Sequence, residues 1–483
     1  MPDLISGDYG VARLLIERGL AAIYLIAFVV ALRQFPALAG EDGLQPATHL
    51  LAATSFWQTP SIFHARYSDT LMRVAAWIGI AIAGLLLIGL PQAAPLPVTM
   101  AAWLALWVLY QSVANLGGTF YSFGWESLLL EAGFLAVFLG SASIGPPLPI
   151  ILAFRWLAFR VEFGAGLIKL RGDPCWRDLT CMDYHHETQP MPGPLSWYFH
   201  HLPKPIHRLE TLGNFVAQLV LPFGLFLPQP FASIAALLMI ATQLYLVVSG
   251  NYAWLNWVTI VVLAAGMGDG FLRFFGVPVP AAAPSAPTWF AVLVVAVSIL
   301  IIALSYEPIR NLLSPNQAMN ASFDPFRLVN TYGAFGSVTR KRYEVVVEGT
   351  DAADPDGATW REYEFRGKPG DPNRRPRQYA PYHLRLDWQM WFLPLSPLYG
   401  EGWLSALLIH LLEGDRRVAG LLRHDPFPNA PPRFVRARLF EYRFTTWAER
   451  RETGAWWQRR AVGEFVPPIG LRGAATGHMG ASA

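Results

Sequence analysis

The amino-acid sequence predicts an α-helical multi-pass membrane bundle of eight or nine spans, followed by a mainly β domain outside the bilayer. Three observations predict it. Of 483 residues, 53% are hydrophobic and 15% charged, whereas a soluble globular chain carries about a quarter charged. Apolar runs recur through the first 308 residues, each near the roughly 20 residues a bilayer crossing takes. Beyond residue 308 the composition turns polar, and roughly two-thirds of all Lys and Arg lie there. Disorder and an ordinary soluble enzyme are excluded. The net charge of +3 is too small to point to nucleic acid.

The candidate spans are 15–35, 72–92, 98–118, 123–141, 148–170, 211–228, 230–249, 252–269 and 288–307. The pair at 230–249 and 252–269 is closely spaced, so one of the two is open to a re-entrant reading. The first span is preceded by Asp3 and Arg13 and opens on Glu17 and Arg18. It lacks the basic n-region and small-residue cleavage site of a signal peptide and is read as retained. Links near 93–97, 142–147 and 229 carry no Lys or Arg, which leaves the positive-inside rule little to act on. With nine spans and a cytosolic N-terminus, 36–71, 171–210 and the C-terminal region all face outward.

In the domain at 309–470, the segments 342–350, 359–367, 383–392 and 433–446 alternate like strands between Gly/Asp/Pro-rich links. Residues 402–422 show helical spacing. The last stretch, 471–483, reads as a flexible tail.

Ionisable groups at membrane depth are costly and face protein or water. Glu126 and Glu131 fall in the fourth span, and Arg155, Arg160, Glu162 and Lys169 in the fifth. Two readings stand. Either Glu126 or Glu131 pairs with Arg155 or Arg160 and pins the two spans, or these groups line a polar cavity for a ligand. Lys169, at a helix end, either snorkels to the headgroups or sits buried as a base.

The loop at 171–210 gathers Asp173, Asp178, Asp183, His185, His186, Glu187, His200, His201 and His207. These are metal-ligand types. The histidines stand in adjacent pairs, without the i,i+4 spacing of a helical site, so a structured Pro-rich surface loop is expected and no metal. Cys175 and Cys181 enclose five residues. A disulfide fits if the loop faces an oxidising compartment; free thiols or a redox pair are the alternatives.

The run Gly166-Leu-Ile-Lys169-Leu170-Arg-Gly-Asp-Pro-Cys175-Trp176 to Cys181, with Tyr184-His185-His186-Glu187-Thr188-Gln189-Pro190, resembles the lipase maturation factor family. So do Ser249-Gly250-Asn251-Tyr252 and Asn330-Thr331-Tyr332-Gly333-Ala334-Phe335-Gly336. The likeness continues at Asn373-Arg374-Arg375-Pro376 and at Arg385-Leu386-Asp387-Trp388. The resemblance implies a multi-pass membrane protein that helps secreted lipases fold and assemble. It implies the endoplasmic reticulum membrane in animals, with the C-terminal region engaging the client. The chain is compact, rich in Ala and Arg, and shows no evident retrieval signal. That looks like a bacterial member, in the inner membrane with its β domain in the periplasm. In a second resemblance, Gly166, Lys169, Leu170 and Trp176 look like the segment of vitamin K-dependent γ-glutamyl carboxylase that holds its catalytic lysine, with a longer spacing from leucine to tryptophan. It implies Lys169 as a base.

Within the C-terminal motifs, Tyr332 and Phe335 either cap the bundle or contact a client. Arg374 and Arg375 form a basic turn facing solvent, lipid headgroups or acidic neighbours. Asp387, beside Trp388, holds a basic partner. No G-x-S-x-G elbow, P-loop or dinucleotide fingerprint occurs. The first functional reading is a maturation factor acting by binding, with the bilayer and a secreted client as partners. The alternatives are a carboxylase-like membrane enzyme and a lipid- or quinone-binding module without activity.

Overall fold

The computed structural model describes residues 8–280 and 284–471; the expected tail lies outside them except for Leu471. Among the described residues, five helices are long and apolar enough to cross a membrane. Three of these are α1 (Gly10–Leu38), α2 (Asp69–Ile88) and α3 (Leu96–Leu116). Two shorter or charged helices follow, α4 (Gly124–Ala136) and α5 (Leu148–Arg171), then α6 (Lys204–Phe215). Next come α7 (Phe231–Ser249), α8 (Leu255–Leu263) and α9 (Thr288–Leu304). The last qualifying run continues from α9 through Leu313.

Five is fewer than the expected eight or nine, and the reasons are local. Helix α4 has 13 residues and α8 has 9, well under the roughly 20 needed to span alone. The stretch expected to cross at 211–228 is broken. Helix α6 gives way to a π-turn at Val216–Val220, and Pro222 then opens the short helix Leu221–Gly224. Helix α5 is long enough, but it carries the charges that keep it from qualifying.

Helix ends are set by recognisable partners. The Ser68 side chain accepts from Leu71 N at the start of α2, and Gly89 closes that helix at φ 91°. Helix α1 borrows its cap from far away: both Asp269 carboxylate oxygens accept, from Gly10 N at 2.7 Å and Val11 N at 2.9 Å. A carboxylate there also meets the positive end of the helix dipole.

The C-terminal region holds one four-stranded antiparallel sheet. Its strands are β1 (Arg342–Thr350), β2 (Arg361–Glu362), β3 (Phe434–Phe444) and β4 (Trp457–Ile469), in the order β2-β1-β3-β4. Strand β1 is central, and eight of its nine residues are buried. Strand β4 is an edge, which is why it tolerates Pro467 and Pro468.

Three expected elements change. Segment 383–392, expected as a strand, is helix α10 (Arg385–Phe392). Six of its eight residues are buried, so it lacks the one-sided apolar stripe that betrays a helix. Segment 359–367 yields only β2 and a bridge from Glu364 to His424. The helix expected over 402–422 stops early: α11 (Leu404–Leu412) ends before Gly414 at φ 72°.

The sheet region does not stand apart. Val345, Val347, Trp388 and Met390 belong to the same hydrophobic core as Tyr24, Tyr110 and Trp254 of the bundle. Buried charges reinforce that joint. Arg385 Nη1 lies 2.8 Å from Glu126 Oε1 with both side chains fully buried, and its guanidinium stacks 3.3 Å over Tyr121. Glu126 also accepts from Tyr110 Oη at 2.5 Å. Gln34 of α1 donates to His383 O at 2.7 Å and accepts from Arg385 N at 3.1 Å. Burial pushes His383 down to about 3, so a neutral ring stands beside the pair.

Removing one partner of such a pair leaves a buried charge alone, at a cost of about 3–5 kcal/mol. Arg385→Met is therefore expected to lower the melting temperature in detergent strongly. Adding Glu126→Leu should recover most of the loss; a double variant no better than Arg385→Met would contradict the pairing. Cys175 and Cys181 form a disulfide with Cα atoms 4.8 Å apart. Alkylation of denatured chain should add nothing without reductant and two adducts after reduction; two adducts without reductant would contradict the bond.

Candidate functional site

Helices α5, α6, α7 and α8, the loop 171–189 and the segment 332–337 enclose a cavity of about 970 Å³. That is near the upper end of small-molecule sites. Its wall is divided. Phe123, Trp125, Trp388, Trp391 and Phe392 pack on one another as an aromatic wall on one side. Glu162, Lys169, Asn214, Gln218, Gln243 and Asn256 make the other polar.

Lys169 ends α5 and is buried. Its Nζ donates to Asn214 Oδ1 and Gln218 Oε1, each at 2.9 Å, and lies 5.0 Å from the Trp176 ring centroid. Glu162, two turns earlier on the same face, accepts from Gln243 Nε2 at 2.8 Å. Gln243 Oε1 in turn accepts from Asn256 Nδ2 at 2.7 Å. Helices α5, α6, α7 and α8 each contribute to the polar wall, or, for Gln218, the π-turn that extends α6.

The remaining charges of the two spans separate. Glu131 pairs with Arg160, both buried. Glu131 Oε2 also accepts from Asn330 N at 3.0 Å, Asn330 Nδ2 at 2.9 Å and Tyr332 Oη at 2.7 Å. Glu126 does not reach Arg155 or Arg160; its partner is Arg385, which no local signal singles out. Arg155 binds carbonyls instead, Ala265 O at 2.9 Å and Leu225 O at 3.0 Å. Of the residues expected in a lock or a pocket, Glu126, Glu131 and Arg160 sit in ion pairs, and Glu162 and Lys169 face the cavity.

Segment 332–336 runs against α5 so closely that only glycine fits there. A Cβ on Gly164 would stand 2.3 Å from Tyr332 O, and one on Gly172 would stand 2.1 Å from Gly336 O. Tyr332 is buried in the Glu131 cluster. Phe335 lines the cavity at φ 56°, a conformation uncommon outside glycine, and its carbonyl accepts from Trp176 Nε1 at 2.9 Å.

The histidine loop is a hydrogen-bonded scaffold. His185 Nε2 meets Tyr252 Oη at 2.9 Å, and that hydroxyl donates to Gln189 Oε1 at 2.5 Å. The hydroxyl's one proton is thus committed, so His185 Nε2 is the donor. Burial pushes His185 down to about 3, which keeps it neutral. Gln189 Nε2 donates to Ser196 Oγ at 2.9 Å and Ser249 O at 3.0 Å. Glu187 accepts from Phe444 N at 2.6 Å. His186, His207 and Glu210 converge within 4.8 Å, as a metal would require. His207, however, faces acceptors with both nitrogens, Asp183 Oδ1 at 2.9 Å and Phe199 O at 3.0 Å. Both ring nitrogens therefore already face protein oxygens at hydrogen-bond distance.

The C-terminal motif residues are joints. Asn251 accepts from Tyr379 N at 2.7 Å and Ala380 N at 2.9 Å and donates to Arg377 O at 2.9 Å. Arg374 donates to Phe365 O at 2.8 Å and Lys368 O at 2.7 Å. Arg375 donates to Pro194 O at 3.1 Å. Among the described residues no basic side chain hydrogen-bonds Asp387; it accepts from Gly367 N at 2.6 Å and Lys368 N at 3.2 Å, and burial pushes its carboxyl up. Trp388 packs 4.7 Å from Trp125.

Sequence reasoning missed the cluster that clamps the loop to the sheet. Buried Arg342 donates to Glu344 Oε1 at 2.8 Å, Glu187 O at 3.0 Å and Pro190 O at 2.9 Å. Lys368 closes the other side, 2.9 Å from Glu344 Oε2. It also missed Gln218, Gln243 and Asn256. Their signal was present: amides inside otherwise apolar spans seek partners.

Residues 11–274 match the family model described as the lipase maturation factor transmembrane domain, and 328–467 match the lipase maturation factor C-terminal domain. Lipase maturation factor 1 of Bos taurus is 40% identical, over 96% of this chain and 90% of its own. The Homo sapiens protein of that name is 40% identical, over 97% and 89%. Lipase maturation factor 2 of Homo sapiens is 28% identical, over 95% and 82%. No solved structure matches. An integral membrane protein by its apolar helices, the chain belongs to the lipase maturation factor family.

Proposed function

We propose that this chain is a membrane-anchored maturation factor that assists a secreted lipase or related exported client by binding it. The observation that carries the reading is 40% identity to lipase maturation factor 1 over 96% of the chain. That likeness spans both the bundle and the sheet region. The sequence offers no nucleophile elbow of a lipase. A maturation factor of this kind shields a client's exposed apolar surface until the client closes.

The disulfide supports an oxidising side for the client-facing region, since such bonds persist outside the cytosol. Loop 171–210 and the sheet lie on one side together: Asp173 pairs with Arg340 at 2.8 Å, and Arg342 holds the loop carbonyls. In a bacterium that side is the periplasm, with the chain in the inner membrane; in animal relatives it is the endoplasmic reticulum lumen. Nine crossings, through residues 1–308, fit this placement if α4, α5, α8 and the broken stretch at 204–224 traverse the bilayer with the five long helices. Residues 309–470 then form the extramembrane region.

Deleting the gene in its host is expected to lower secreted lipase activity per unit of secreted lipase protein. Wild type and Lys169→Ala should both restore it. Unchanged specific activity after deletion would overturn the reading.

A further inference from the structure

We propose that the cavity beside Lys169 is a lipid site, entered sideways from the bilayer and selective for an uncharged head bearing carbonyl or hydroxyl oxygens. The inference does not rest on the lipase reading.

The portal comes first. Gly213 lines the cavity and is also exposed, so the cavity reaches the surface there; it reaches a polar surface as well at exposed Ser122, Asn316 and Asn320. A Cβ on Gly213 would meet nothing within 4 Å. Most exposed side chains around this opening are aliphatic, with Arg208 and Lys204 marking its polar end. Leu209 is 60% exposed, Leu212 49%, Val216 44% and Val220 61%; across the gap on α7, Leu244 and Val248 are exposed too. Aliphatic side chains at this density mark a lipid-facing surface. The π-turn at Val216–Val220 interrupts the helix beside the opening, as such turns often do at functional sites. A molecule arriving through this portal comes from the membrane.

The interior sets the head. Lys169 and Glu162 supply one cation and one carboxylate on the same helix face, and the other wall carboxylates are engaged, Asp173 with Arg340 and Glu210 with His186 and Tyr245, so a head with net charge would face no net counter-charge. Lys169 has three N–H groups and spends two on Asn214 and Gln218, leaving one for a ligand oxygen. A phosphate seeks several donors. The other cation on the cavity wall, Arg171, is engaged with Gln317 Oε1 and Leu312 O, each at 3.0 Å. One N–H suits a carbonyl, ester or hydroxyl oxygen. The aromatic wall from Phe123 to Trp388 takes the tail or a ring. Acylglycerols and isoprenoid quinones share this chemistry.

The test uses purified full chain in detergent, with labelled dioleoylglycerol, a labelled isoprenoid quinone and phosphatidylglycerol as probes. One or both neutral probes should bind at about one per chain, and which one binds tells the two sources apart. Phosphatidylglycerol should not compete. Lys169→Met removes the donor and should weaken binding roughly tenfold, as losing one charge-assisted hydrogen bond does. Gly213→Trp plugs the portal at a position with room for it and should block loading while leaving the melting temperature near that of wild type. The proposal is overturned if neither neutral probe binds, if phosphatidylglycerol competes equally, or if folded Gly213→Trp loads like wild type.

Discussion

Two glutamates on one short helix hold the molecule together. Helix α4 is too short to cross a bilayer alone, yet its Glu126 and Glu131 are buried completely or nearly so. An isolated carboxylate there would be prohibitively costly. Each is therefore matched by an arginine from elsewhere: Arg385 from the C-terminal region and Arg160 from α5. Neither charge is tolerable in the apolar core without its partner. The bundle end, α5 and the chain beyond residue 320 must therefore assemble together. Asn330 and Tyr332 complete the second pair, which fixes where the chain lies as it leaves the last long helix.

The cavity follows from that arrangement. Pinning segment 330–336 along α5 brings Phe335 and Gly336 over the end of the helix, next to Trp176 and Lys169. The disulfide-closed turn at 175–181 packs beneath Phe335 and Val338. The loop 182–197 is then clamped from the sheet side by Arg342. What remains between these fixed walls is a space that neither side can fill alone. Its polar groups come from four helices and a π-turn, which keeps them apart enough to face a ligand as well as one another.

The sequence carried the membrane character, the sheet strands with clean alternation and the disulfide cysteines. Those signals are local: apolar runs, period-two patterns, and two cysteines in a short loop. Helix α10 reads as a strand because burial on nearly every side erases the helical period. The partner of Glu126 was invisible because Arg385 lies 259 positions away, and only the fold joins them. Arg342 reads as the polar start of a strand; its burial depends on the carbonyls of Glu187, Gln189 and Pro190. The shortness of α4 and α8, and the break near Pro222, were readable in principle. Their apolar composition outweighed those cues.

If the ion pairs are the joint, the bundle and the sheet cannot loosen independently. Hydrogen–deuterium exchange on the full chain in detergent tests this directly, comparing wild type with Glu131→Ala. The account predicts faster exchange in residues 124–136, 330–336 and 342–350 alike, since one joint orders all three. Faster exchange confined to 124–136, with 342–350 protected as in wild type, would show that the sheet region holds its structure without the bundle and would contradict it.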